Sequence, residues 1–164
     1  DKTKSKGEKL RIAKQLSKYA KAHGLTFIVN DDLDIAKKVD ADGVHLGQRD
    51  AGRVKRNALR GLILGVSASN LAEALRAQRL GADYIGFGPV FGTPIKPHVK
   101  PAGIKELRKV TKQVTIPVVA IGGINKSNIR RVLDTGCRRV AVIRPVAGAK
   151  DIAKAARELN TLCY

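Results

Sequence analysis

A chain of 164 residues with 43% hydrophobic content has room for one domain, residues 1–164, with a buried core. Aromatics make up only 4%, so Val, Ile, Leu and Ala must fill that core, and no run approaches the roughly 18 apolar residues of a membrane span. The formal net charge of +18 predicts attraction to polyanions, whether phosphorylated metabolites, nucleic acid or an acidic surface. Cys137 and Cys163 show no metal or redox spacing and no signal-peptide pattern opens the chain, so reduced thiols in a cytoplasmic protein are expected. The chain has no methionine, which leads us to expect a processed form or a fragment.

Taken in order, residues 1–7 are Lys-rich without periodicity and read as a loop. Leu10, Ala13, Leu16 and Ala20 recur at three- and four-residue steps, predicting an amphipathic helix over 8–22 ended by Gly24. A short apolar strand (25–29) runs into Asn30-Asp31-Asp32, and a short helix (33–39) follows. Gly43–Leu46 is a second strand, a basic helix is expected over 53–60, and a third strand covers 62–66 and ends in Ser67-Ala68-Ser69. Asn70 with Glu73 has the capping-box pattern that opens a helix to Leu80.

The segment from Tyr84 to Pro97 is the most informative. Its three prolines and three glycines exclude a stable helix, so an apolar strand (84–87) delivers a loop carrying Thr93 and Lys96. A helix (104–110), a strand (118–121) ending in Gly122-Gly123, a helix capped by Ser127, a strand (140–143) and a final helix (152–162) complete the chain. Six strands alternate with helices, which argues a parallel sheet with helical crossovers. Pattern alone leaves an open doubly wound sheet and a (β/α) barrel as alternatives.

Chemistry-bearing residues gather after strands. Asp31 and Asp50 follow consecutive strands, and two such carboxylates suit Mg²⁺ shared with substrate phosphate oxygens; each could also simply cap the next helix. Lys96, Lys2 and Ser67 are expected around the same rim, where a lysine neutralises phosphate as a point charge. Gly122-Gly123 before a helix offers bare backbone N–H groups for a phosphate, or allows close strand–helix packing. His45, within an apolar strand, reads as a hydrogen-bonded core histidine, and His23 and His98 do not converge with it.

Together these motifs resemble the thiamine phosphate synthase family. The resemblance rests on Ile28-Val29-Asn30-Asp31, the stretch from Gly43 to Asp50, Gly65-Val66-Ser67, the stretch from Gly86 to Pro97, and Val119 to Ile124. It implies an α/β fold of the (β/α)8 TIM-barrel type, of which this chain supplies six units and lacks the first two strands with their intervening helix. It implies a transferase of thiamine biosynthesis that joins 4-amino-2-methyl-5-(diphosphomethyl)pyrimidine to thiazole phosphate, giving thiamine phosphate and diphosphate.

By the same resemblance, Asp31 and Asp50 hold Mg²⁺. Asn30, Ser67, Lys96 and Lys2 hold the pyrimidine diphosphate, with Lys96, Ser67 and Asn30 nearest the chemistry. Thr93, Ile95, Gly123 and the Ile143-Arg144 pair hold the thiazole phosphate, with Gly122 beside them. Ile95 stands where the family commonly has Thr, and Arg144 where it commonly has Ser. A barrel short of two strands has open edges, which a longer chain or a second copy in a homo-oligomer would close.

Two other functions compete. A thiazole tautomerase would keep the thiazole-phosphate site without the metal site, which the presence of Asp31, Asp50 and Lys96 argues against. A non-catalytic barrel would use its charge to bind RNA weakly through the phosphate backbone, since aromatics are scarcely interleaved with the basic stretches.

Overall fold

The computed structural model describes residues 4–59, 61–94 and 98–163. Helix α1 (Lys6–Ala22) starts two residues before the predicted helix because Ser5 caps it. The Ser5 hydroxyl accepts from Glu8 N–H and the Glu8 carboxylate takes Ser5 N–H, a reciprocal pair at the helix start. Its inner stripe is Ala13, Ser17 and Ala20 rather than the stripe expected through Leu16, which is 50% exposed. Ser17 tolerates burial because its hydroxyl donates to Val39 O at 2.9 Å.

The strands are β1 (Ile28–Asn30), β2 (Gly43–Leu46), β3 (Ile63–Ala68), β4 (Tyr84–Phe87), β5 (Val118–Ile121) and β6 (Arg139–Ala141). Between β1 and β2 runs α2 (Leu33–Lys38), capped by Asp32, whose carboxylate accepts from Ile35 N–H. The basic helix expected over 53–60 is replaced by two short pieces, α3 (Gln48–Ala51) and a 3₁₀ turn (Arg56–Leu59). Gly52 ends the first piece, and only Leu59 in the second is buried. Helices α4 (Leu71–Arg79) and α5 (Gly103–Gln113) flank β4 in sequence. Past β5 come α6 (Ile129–Leu133), α7 (Arg144–Ala147) and α8 (Ile152–Cys163). The last strand is shorter than expected, leaving Ile143 outside it.

All strands pair in parallel in the order β1-β2-β3-β4-β5-β6. A doubly wound sheet must reverse its strand order to carry helices on both faces. Strictly sequential order with right-handed crossovers instead puts every helix on one face, so these six strands form a barrel wall. Burial follows that division. Val44, Leu46, Leu64, Val66, Ile85, Phe87 and Ala120 lie under the helices and are essentially buried. Residues that alternate with them, including Ile28, His45, Tyr84, Val119 and Ile121, face the concave side and are only half-buried. Ala36, Ala74, Ala77, Leu107, Val110 and Val132 supply the helix side of the core. None of the described helices is long and apolar enough to cross a membrane.

At the opposite end of the strands, Asp83 ties β3 to the 3₁₀ turn. Its carboxylate accepts Leu64 N–H at 2.7 Å and pairs with Arg56 at 3.1 Å. Burial alone would raise this carboxyl, but the Arg56 guanidinium and the Leu64 amide outweigh it and hold the pKa below the ordinary value. A depressed folded-state pKa means stability that is present above the unfolded value and lost as pH falls through the folded one. Asp83→Ala is therefore expected to destabilise by about 1 kcal/mol at pH 7, screened because the pair is partly exposed, and by less near pH 3. Urea midpoints at the two pH values check this, and a loss that does not shrink in acid removes the electrostatic account.

Candidate functional site

The rim at the C-terminal ends of the strands collects the polar residues. Asn30 closes β1, and Asp31 follows in a left-handed conformation (φ 67°), its N–H donating to His45 O at 2.8 Å. Asp is among the few side chains that adopt this conformation readily, so the turn holds the carboxylate at the strand end without a glycine. Asp50 lies in the first turn of α3, after β2. Both carboxylates are exposed, and among the described residues neither is paired.

Helix α3 is only four residues long, and Gln48 anchors it. The Gln48 amide donates to Ser67 O at 2.8 Å and Glu73 O at 3.1 Å, tying the turn that bears Asp50 to β3 and α4. Its Oε1 is buried with no described partner. Ser67, expected just past a strand, lies within β3 on the concave side, where its hydroxyl meets His45 Nε2 at 2.9 Å. His45 is hydrogen-bonded as expected of a core histidine, but it is half-buried and points to the open face rather than into the core.

Gly122 (φ 95°) and Gly123 (φ 66°) form the turn after β5. A Cβ on Gly122 would lie 2.5 Å from Pro89 Cα, and one on Gly123 would lie 2.5 Å from Gly92 O. The double glycine thus serves close approach of the β5 turn to the β4 loop, one of the two alternatives left by the sequence. The Asn125–Asn128 turn supports it: Asn128 Nδ2 donates to Gly123 O at 2.9 Å, and Asn125 N–H donates to Asn128 Oδ1. Ser127 does not cap α6 as expected; its N–H and hydroxyl both go to Asn125 Oδ1, and Asn128 occupies the cap position. The Arg131 guanidinium sits over the Phe91 ring, 5.3 Å from its centroid.

Arg144 begins α7, exposed, and pairs with none of the described residues. Ile143 precedes it and is 54% exposed. Thr93 lies half-buried in the loop after β4. Lys2, Ile95 and Lys96 lie outside the described residues.

The sequence reading did not single out Gln48 as an anchor, Tyr84 as the partner of His45, or the Asn125–Asn128 pair. Only the last had a local signal, an Asn-Lys-Ser-Asn turn after the double glycine. The cysteines are free as expected. Cys137 is buried, which pushes its thiol pKa up and makes it inert.

The donor set suits a hard cation: two unpaired carboxylates after adjacent strands match Mg²⁺, which uses one or two carboxylates with water and phosphate oxygens. No cluster of three or more metal-ligating side chains occurs among the described residues, as such a shared site requires none.

A sequential parallel wall with carboxylates and a glycine turn at the C-terminal ends of its strands has the architecture of the (β/α)-barrel class, whose functional sites lie at that end. A family model described as thiamine monophosphate synthase matches residues 1–146, and the chain belongs to that family. It is 49% identical over 156 residues to a thiamine-phosphate synthase of Methanocella arvoryzae, covering 93% of this chain and 74% of that one. It is 46% identical over 156 residues to the thiamine-phosphate synthase of Pyrococcus furiosus, covering 94% and 75%. A solved thiamine phosphate pyrophosphorylase from Pyrococcus furiosus superposes with a TM-score of 0.86 at 41% identity, over 98% of this chain and 78% of that one. A 3-hexulose-6-phosphate synthase structure, at 22% identity and a TM-score of 0.69, shares the fold alone.

Proposed function

We propose that this chain is a transferase that joins 4-amino-2-methyl-5-(diphosphomethyl)pyrimidine to thiazole phosphate, releasing diphosphate and forming thiamine phosphate. The observation that carries the reading is the shared end of the strands: two carboxylates after β1 and β2, a hydroxyl near the end of β3 and a glycine turn after β5. In the family's barrel two further βα units would lie between β6 and β1.

In the reaction the bond from the pyrimidine methylene carbon to the diphosphate oxygen breaks, and its electron pair leaves with diphosphate. The lone pair of the thiazole nitrogen forms the new C–N bond. Such a step needs the leaving charge neutralised more than it needs a general base. The Asn30 amide, the Ser67 hydroxyl, and Lys2 and Lys96 donate to the diphosphate. Mg²⁺ held by Asp31 and Asp50 would supply further charge neutralisation there. The Gly122-Gly123 backbone, with Thr93, Ile95, Ile143 and Arg144, holds the thiazole phosphate. Beyond its substrates, the surplus charge gives the protein weak, salt-sensitive adhesion to nucleic acid.

Incubating the protein with both substrates and Mg²⁺, and following thiamine phosphate by chromatography, tests the reading. Binding of both substrates without product would leave a phosphate-binding barrel and no transferase.

Arg144 offers a finer test. A guanidinium can give a phosphate two parallel hydrogen bonds, which a serine cannot. Arg144→Ser is expected to weaken thiazole-phosphate binding by about 1.5–3 kcal/mol in calorimetry, the size of a lost charged hydrogen bond. Tighter binding after the change would mean that Arg144 plugs the site.

A further inference from the structure

Three concave-face side chains on β2, β3 and β4 interlock. His45 Nδ1 lies 2.9 Å from the Tyr84 hydroxyl oxygen, and His45 Nε2 lies 2.9 Å from Ser67 Oγ. The strand register makes room for this. His45 stands opposite Gly65, Gly65 opposite Tyr84, and Ser67 opposite Gly86. A Cβ on Gly65 would overlap the Tyr84 ring and His45 Nδ1, and one on Gly86 would come within 2.8 Å of His45 Cε1. The imidazole therefore lies across two bare backbones, with a hydroxyl against each nitrogen.

A neutral imidazole has one donor and one acceptor nitrogen, so the chain of bonds has a direction. Half-buried Tyr84 keeps its phenolic proton, because burial raises its pKa. When that proton is given to Nδ1, Nε2 carries the ring's hydrogen and donates it to Ser67 Oγ. The hydrogen of Ser67 is then free to point to the rim. In the opposite direction Ser67 would give its hydrogen to Nε2 and present only lone pairs, which repel a phosphate oxygen.

We propose that His45, fixed by Tyr84, is a positioning residue that turns the Ser67 hydroxyl into a donor toward an anionic phosphate oxygen. This rests on the reading above that Ser67 contacts the diphosphate. Neither His45 nor Tyr84 needs to touch that group for the effect to operate.

Calorimetry of inorganic diphosphate with Mg²⁺ tests it on the wild type, Ser67→Ala, Tyr84→Phe, His45→Gln and the Tyr84→Phe/Ser67→Ala double variant. Tyr84→Phe keeps the ring and its packing, and urea midpoints verify that each variant folds. Ser67→Ala and Tyr84→Phe are each expected to raise Kd about tenfold, one hydrogen bond to an ion. The double variant should be no weaker than Ser67→Ala, because Tyr84 acts only through that hydroxyl. Imidazole ¹⁵N shifts, with His45 assigned by its loss in His45→Gln, should report hydrogen on Nε2.

Additive losses in the double variant, or hydrogen on Nδ1, overturn the relay. If Ser67→Ala weakens binding while Tyr84→Phe and His45→Gln do not, the relay fails and the diphosphate site stands. If the wild type does not bind diphosphate, or Ser67→Ala binds as well as wild type, the underlying reading of Ser67 fails and takes the relay with it.

Discussion

Asp50→Ala is expected to lower the rate of thiamine phosphate formation by a factor of about 100 to 1,000, the size seen when one group stabilising a developing charge is removed. The carboxylate stands exposed and unpaired among the described residues, on a short helix that Gln48 pins to β3 and α4. None of the described residues pairs with its charge, so the urea midpoint should stay within about 0.5 kcal/mol of wild type. Diphosphate affinity should fall in the presence of Mg²⁺ and stay unchanged without it. Asp40→Asn is the control. Asp40 is also an exposed carboxylate, but it follows the C-terminal end of α2, at the opposite end of the strands, where it pairs with Lys21, and its loss should alter neither rate nor affinity. Equal Mg²⁺-dependent affinity in wild type and Asp50→Ala would remove Asp50 from the metal site.

Gly123→Ala attacks the other half of the site through the backbone. An L side chain at φ 66° is disfavoured by roughly 1–2 kcal/mol. The new Cβ would also stand 2.5 Å from Gly92 O and 2.8 Å from Phe91 Cβ, so the β4 loop must shift. Overpacking of this kind adds about 1–3 kcal/mol, and the two effects together predict a loss of about 2–5 kcal/mol in urea unfolding. Whatever fraction folds should bind thiazole phosphate poorly, because the displaced loop carries Thr93. Gly92→Ala is the comparison, since a Cβ there meets nothing within 4 Å and the backbone is not left-handed. It should be nearly neutral. A stable Gly123→Ala protein with unchanged thiazole-phosphate binding would show that the turn is neither tight nor part of the site.

Much of the rim was legible in the sequence because strand ends are marked locally. Apolar runs stop at Asn30-Asp31, at Gly47 and at Gly122-Gly123, and in a parallel βα chain every such stop falls on the same edge of the sheet. The errors occurred where local signals compete. Residues 53–60 are charged enough for a solvated helix, yet the described part of this stretch has only a 3₁₀ turn, Arg56–Leu59, held from outside by the Arg56–Asp83 pair. Leu16 has the periodicity of a core residue and is half exposed, while polar Ser17 takes the inner position because Val39 O accepts its hydroxyl hydrogen across 22 residues of chain.

By itself, then, the sequence determined the alternation of strand and helix, the placing of carboxylates and glycines at strand ends, and the family, since each depends on neighbours a few residues apart. The tertiary structure decided what depends on pairing between strands. Sequential parallel order put every helix on one face and made the sheet a barrel wall rather than an open doubly wound sheet. The same pairing set His45, Ser67 and Tyr84 side by side over Gly65 and Gly86. Residues 39 positions apart meet only through strand register, which local periodicity does not encode.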